Sequence, residues 1–289
     1  RLWFLDRLEG PSATYNMGGG FWFEGELNVA AVRRSLSTIL DRHEALRTRF
    51  IEVEGEPRQL VESDYQFEVP LLDFSQQPDS KQEQQVADHT QAFISRPFDL
   101  SCDLMLRAEL IKVSESRFGF LFNMHHIASD GWSIGIFVRE FVEGYLAFSQ
   151  DRALELEPLT IQYGDFANWQ RKWLEGERLE NQIDYWKDQL KSLPALLELP
   201  TDHPRPAIQS YAGSSTKIKI PEELMGQLKA LCREHDATLF MSGLALFQLL
   251  MSKYSRMDDI AVGSPIANRV RPELEALIGF FVNTLTLRG

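Results

Sequence analysis

FGFLFNMHHIASDGWSIGIFVREFV, residues 118–142, changes its period halfway along. The first ten residues form a short apolar run and read as a strand. Phe120, Phe122 and Met124 share one parity with His126, while Leu121 and Asn123 share the other with His125. Beyond it, Ile134, Phe137, Val138, Phe141, Val142 and Tyr145 recur at helical spacing, with Ser133 placed to cap the helix they define. Asp130 and Gly131 fall in the turn between strand and helix. LMLRAELIKV (104–113) precedes the stretch and is joined to it by SESR, so the two runs read as a hairpin. A strand that runs into two histidines and then feeds a helix through a turn is an α/β arrangement, with the histidines at the strand end.

Adjacent strand residues point to opposite faces, so His125 and His126 cannot both aim at one site unless the strand has ended. The expectation is that one projects at the strand end, the other is pinned within the fold, and Asp130 fixes the loop. Parity alone does not choose between them. The bland alternative is a pair of histidines that are buried and merely hydrogen-bonded. Opposed parity argues against chelation. His43, His89, His203 and His235 are scattered, and Cys102 and Cys232 lie far apart without ligand spacing. No G-x-S-x-G elbow, Walker loop or Rossmann fingerprint is present, and GGG (18–20) precedes a strand rather than following one.

Outward from this centre the alternation continues. GFWFE (20–24) reads as a strand, and Asn28 caps a helix with Val29, Val32, Leu36, Ile39 and Leu40 on one face. Strands at 48–53 and 58–61 flank Gly55, and a polar helix over 80–95 stops before Pro97. DRALELEPLT (151–160) reads as a linker, followed by a helical stretch with Trp169, Trp173 and Trp186 and a proline-rich extended segment over 193–206. The pattern then restarts with a strand at STKIKI (215–220), a helix from Pro221, a helix over 238–253, and strands at 258–266 and 280–288. Two α/β lobes, 1–160 and 161–289, account for this most simply.

The chain has 289 residues, 44% hydrophobic and 25% charged, with formal net charge −12, which fits a soluble globular protein and argues against broad nucleic-acid binding. No apolar run approaches the length of a membrane span. Two cysteines far apart that suggest no disulfide framework, and no visible signal peptide, fit the cytoplasm. The chain opens without Met inside an apolar segment and stops after a strand-like run, so it reads as an excerpt of something longer.

These residues carry a resemblance. HHIASDG (125–131) resembles the HHxxxDG signature of condensation domains from nonribosomal peptide synthetases. RLWFL (1–5) looks like the tail of that family's first motif. RHEALRTRF (42–50), YGDFANWQ (163–170) and IGFFVNTLTLR (278–288) resemble its second, fourth and fifth. Five motifs in the family's order cover the chain. The resemblance implies two chloramphenicol-acetyltransferase-like lobes in a V, an α/β (α+β sandwich) fold, with the signature in a tunnel at their junction. Later family motifs are missing, so the second lobe is expected to be incomplete, with an unpaired sheet edge and exposed apolar surface.

The implied reaction is amide formation between a donor acyl or peptidyl thioester and an acceptor aminoacyl thioester. Both are tethered to phosphopantetheine arms of upstream and downstream carrier domains, beside a neighbouring adenylation domain. The wording of RLWFL, SDGWS and FFVNTLTLR looks most like the subclass joining an L-configured donor to an L-configured acceptor. The resemblance assigns the catalytic role to His126, the second histidine, and a structural role to His125. Asp130 and Gly131 hold the loop, and a buried carboxylate at 130 needs a partner. Arg269 is the first choice and Arg49 the second. No metal and no cofactor held by the domain itself are implied. A silent scaffold of the same fold, or an acyltransferase using free acyl-coenzyme A, are the alternatives. Arg33 with Arg34 and Arg171 with Lys172 are candidate docking pairs, though solvated faces explain them as well.

Overall fold

The computed structural model describes residues 2–207 and 213–289, so Arg1 of the RLWFL stretch lies outside the described residues. In chain order these form α1 (Leu2–Glu9), β1 (Asn16–Glu24), α2 (Val29–Arg42), β2 (Thr48–Val53), β3 (Glu56–Val61), β4 (Leu71–Asp73), α3 (Asp79–Ser95), β5 (Leu106–Ser114), β6 (Arg117–His125) and α4 (Gly131–Ser149). There follow α5 (Tyr163–Trp173), α6 (Glu177–Gln189), α7 (Glu222–Glu234), α8 (Leu239–Ser255), β7 (Ala261–Ile266) and β8 (Asn283–Arg288). The chain divides into two compact units, one running to Trp173 and including Ala267–Val282, the other Leu174–Ile266 with Asn283–Gly289. The division read from the sequence, 160/161, falls elsewhere. Phe166 of α5 packs on Leu274, Leu277 and Phe281, and this cluster joins both segments to the first unit.

The first unit is built on a sheet of order β1-β6-β5-β4, antiparallel except for the parallel β4–β5 pair. Strand alternation sorts its side chains into two layers. Phe120, Phe122 and Met124 of β6 and Leu106, Ala108 and Leu110 of β5 bury against Val32, Leu36, Ile39 and Leu40 of α2 and Ile136, Phe137 and Phe141 of α4. The opposite parity, Leu121 and Ile111, packs on Phe93 of α3. The glycine run is explained by this packing. A Cβ at Gly18 would lie 2.7 Å from Ile94 Cγ1 and one at Gly19 2.6 Å from the Phe122 ring.

Local chemistry sets the helix starts. Asn28 accepts the Ala31 N–H at 3.0 Å. The helix after the histidines begins three residues earlier than its apolar stripe implies. Asp130, not Ser133, is its cap, accepting the Ser133 N–H at 2.9 Å. Val142, expected on the buried stripe, is 42% exposed. STKIKI forms no strand, since no strand among the described residues pairs with it, and Ile218 is 87% exposed. The stretch after the linker is two helices broken at Gly176, whose φ is +58°.

The second unit carries α6, α7, α8 and the two-stranded antiparallel β7–β8 sheet. Helix α8 has a Thr238 cap but buries no residue, and Phe240, Leu246 and Leu249 are each more than half exposed.

Candidate functional site

The two histidines part company because β6 ends between them. The His125 N–H still donates across the sheet to the Met105 carbonyl (3.2 Å), whereas the His126 N–H turns to the Tyr15 carbonyl (2.8 Å). A tight turn follows, with the Ala128 N–H and the Ser129 hydroxyl both donating to the His125 carbonyl at 3.0 Å. His125 is 3% exposed and its ring sits edge-on to Phe98 and Tyr15. Its Nδ1 accepts the Ile127 N–H at 3.1 Å. Burial pushes its pKa down to about 4, with His126 and Arg107 nearby adding to the effect, so this imidazole is neutral and pinned.

His126 is half-buried, and its Nδ1 lies 2.8 Å from the Ser129 carbonyl oxygen. A carbonyl only accepts, so Nδ1 carries a proton, and whenever the ring is neutral its lone pair lies at Nε2. The Phe280 ring meets the imidazole at a centroid distance of 5.0 Å and 71°. Neither nearby hydroxyl is paired with His126. Ser129 donates to the His125 carbonyl, and the single Ser133 hydroxyl proton faces Asp130 Oδ1 and the Gly279 carbonyl. The arrangement offers Nε2 of His126 as a base, and neither of these two serines is hydrogen-bonded to that ring as a nucleophile would be.

Behind the loop, Asp130 is 2% exposed and fully engaged. Its Oδ1 accepts from the Ser133 N–H (2.9 Å), the Ser133 hydroxyl (2.8 Å) and Arg269 Nη2 (3.2 Å), and its Oδ2 accepts the Phe281 N–H (3.0 Å). Arg269 also donates to the carbonyls of Leu274 and Leu277 and lies over the Phe281 ring. Burial lowers the Arg269 pKa while Asp130 opposes that shift. The same burial, with Asp130 close by, pushes Tyr163 up to about 12, which keeps its hydroxyl a donor to the Phe280 carbonyl at 2.9 Å.

The structure therefore brings together His125, His126, Asp130 and Arg269. It sets aside Arg49, which pairs with Glu62. Arg269 belongs to the segment that joins the first compact unit, so its ion pair with Asp130 lies within that unit. Gly131 is the first residue of α4, and a Cβ there would meet no atom within 4 Å, so packing within the chain does not explain the glycine. Of the basic pairs, Arg33 is spent on the Val69 carbonyl and Arg34 stacks on Phe148. Tyr163, Phe280, His43 and Glu140 enter the network with no site role read for them from the sequence, and Ser133 enters it in place of the capping role read for it. His43, Tyr163 and Phe280 sit inside the RHEALRTRF, YGDFANWQ and IGFFVNTLTLR stretches and Ser133 inside SDGWS, which is the sequence signal for them, while Glu140 lies in none of these stretches.

Among the described residues, no three His, Cys, Asp or Glu side chains gather as a metal site, and no helix is long and apolar enough to cross a membrane.

A family model described as "Condensation domain" matches residues 1–289. One of the linear gramicidin synthase polypeptides from Brevibacillus parabrevis is 47% identical over all of this chain, and malpinin synthetase from Mortierella alpina is 42% identical. The chain spans 6% and 4% of the length of these relatives. Among solved structures, the X-domain from teicoplanin biosynthesis is 26% identical with a TM-score of 0.85, covering 99% of this chain and 63% of that one. The first condensation domain of the calcium-dependent antibiotic synthetase is similar in fold, with a TM-score of 0.81 at 21% identity, over 99% of this chain and 67% of that one.

Proposed function

The chain belongs to the condensation-domain family, and on that footing we propose that it joins a donor acyl or peptidyl thioester to an acceptor aminoacyl thioester through His126. Condensation domains of nonribosomal peptide synthetases form peptide bonds, and they work within multidomain synthetases beside carrier and adenylation domains. In this reading, phosphopantetheine arms of an upstream and a downstream carrier bring both substrates. The domain itself holds no cofactor, and the subclass is the one that joins L-configured partners. Its place is the cytoplasm, where free thiols such as Cys102 and Cys232 fit.

The acceptor amine attacks the donor carbonyl, a C–N bond forms, and the C–S bond to the donor arm breaks. A free α-amine has a pKa near about 7.7–8.0, so at pH 7 roughly a tenth is already deprotonated and ground-state deprotonation is worth only about 1 kcal/mol. The larger task comes later, when the attacking nitrogen becomes cationic in the tetrahedral intermediate. His126 takes that proton at Nε2 and the thiolate leaves. Such a base contributes roughly 10²- to 10⁴-fold, and holding two tethered reactants together supplies much of the rest. The observation that carries this reading is the His126 Nδ1–H···O=C bond to Ser129, which fixes the tautomer with Nε2 free.

Incubating the native chain with two separately loaded carriers tests it. The reading expects a dipeptidyl thioester on the downstream carrier. No product from well-folded protein would assign the chain to a silent scaffold, and turnover of a soluble acyl thioester without a carrier would assign it to a coenzyme A-type acyltransferase.

A further inference from the structure

Residues 277–282 have no regular secondary structure, yet side chains hold their backbone almost throughout. Arg269 Nη1 donates to the Leu277 carbonyl (2.7 Å), Ser133 Oγ meets both the N–H and the carbonyl of Gly279 (3.1 and 3.0 Å), Tyr163 holds the Phe280 carbonyl (2.9 Å), and Asp130 holds the Phe281 N–H (3.0 Å). One anchor comes from outside this group. The Ile278 N–H donates to Nδ1 of His43 at 3.3 Å.

His43 is 1% exposed and its other nitrogen is 2.8 Å from Glu140 Oε2. Because Nδ1 accepts, Nε2 carries the proton and donates it to the carboxylate. Glu140, on α4 and 2% exposed, is also held by Arg42 Nε at 3.1 Å. Burial alone would raise its pKa, and His43 and Arg42 together bring it below the ordinary value. A buried imidazole–carboxylate pair is costly where apolar side chains would fill the same space. Here it is directed at one backbone N–H, two residues before the phenyl ring that meets His126.

We propose that His43, seated on Glu140, is a positioning residue for His126: it fixes Ile278, and through it Phe280, so that the phenyl ring sets the plane of the imidazole. The inference rests on the reading of His126 as the proton acceptor. His43 touches no reacting atom.

Two substitutions separate its two bonds. His43→Asn places an amide oxygen at the position of Nδ1 and can keep Ile278 while losing Glu140. His43→Gln reaches Glu140 and loses Ile278. In steady-state assays of the native chain with two loaded carriers, His43→Gln should lower kcat by roughly 10- to 100-fold, as expected for a misplacement of about 1 Å. KM should change little, His43→Asn should lose much less, and His43→Gln should add nothing to His126→Ala. Should neither His43 variant fold, Phe280→Leu is expected to lower kcat and to be equally non-additive with His126→Ala, and a wild-type kcat there overturns the proposal. Greater damage from Asn than from Gln, or effects that multiply with those of His126→Ala, also overturns it while leaving the proposed function standing. Full activity of His126→Ala would sink the proposed function and this inference together.

Discussion

His125 is buried, and burial costs the charged imidazole more than the neutral one. Its pKa falls from an ordinary 6.5 to about 4 on folding. The sign of the resulting pH dependence follows. Above pH 6.5 both folded and unfolded chains hold this group neutral. As the pH falls from about 6.5 to about 4, the unfolded chain takes up a proton that the folded one refuses, so stability declines by up to about 3 kcal/mol. Thermal melting followed over that range should show the decline, and a folded His125→Gln protein should show a flatter curve. An unchanged slope would contradict a neutral, pinned His125. Asp130 is the other residue with a sharp expectation. It accepts four hydrogen bonds, one from a guanidinium that is itself almost fully buried. Asp130→Asn leaves Arg269 an uncompensated buried cation and should destabilise the fold by about 3–5 kcal/mol, with activity lost in step. A variant that melts like wild type but has no activity would instead place Asp130 in the chemistry.

At the scale of elements, the critical piece is the irregular strip before β8, because Phe280 and the anchors of Asp130 and Arg269 lie on it. Gly279 is where it is most tightly confined. A Cβ there would overlap the Tyr163 ring and lie 2.8 Å from Phe281 Cε2. Gly279→Ala should cost about 1–3 kcal/mol by overpacking and should lower kcat by moving Phe280, whereas wild-type melting would mean the strip yields more easily than its packing implies. The strip also shows where sequence patterning stops. Period-2 and period-3.6 patterns locate β6, α2 and α4, because these elements bury one parity or one stripe in the core. The strip has no period. It is held by side chains from residues 43, 130, 133, 163 and 269, and no local pattern encodes such long-range bonds. Residues 280–282 read as strand from the sequence but lie outside β8, and the Phe280 carbonyl and Phe281 N–H are bonded to side chains. Asp130 displaces Ser133 as the cap because both can cap a helix and only tertiary contacts decide between them. The choice of Arg269 for Asp130 and of His126 over His125 comes from resemblance, and spacing alone supplies neither.

At the scale of the molecule, the two compact units are very unlike in how they bury their apolar residues. The first holds nearly the whole core. In the second, α7 and α8 expose Leu224, Leu231, Phe240, Met241, Leu246, Phe247, Leu249 and Leu250. A patch of this kind marks a surface that associates. The 289-residue polypeptide made alone should self-associate with rising concentration, and charged residues in place of Leu246 and Phe247 should reduce this; a monomer at high concentration by light scattering would contradict the expectation. Division into units is the least legible level, since 267–282 lies far along the sequence from the residues it joins. All of the functional reading turns on one nitrogen, Nε2 of His126. The measurement that tests it most directly is the single-turnover rate of dipeptidyl-carrier formation by the native chain and by its His126→Ala variant, with folding verified by melting. The predicted result is a loss of at least about 10²; a loss of less than about tenfold in a folded protein would contradict the assignment of His126 as the group that takes the proton.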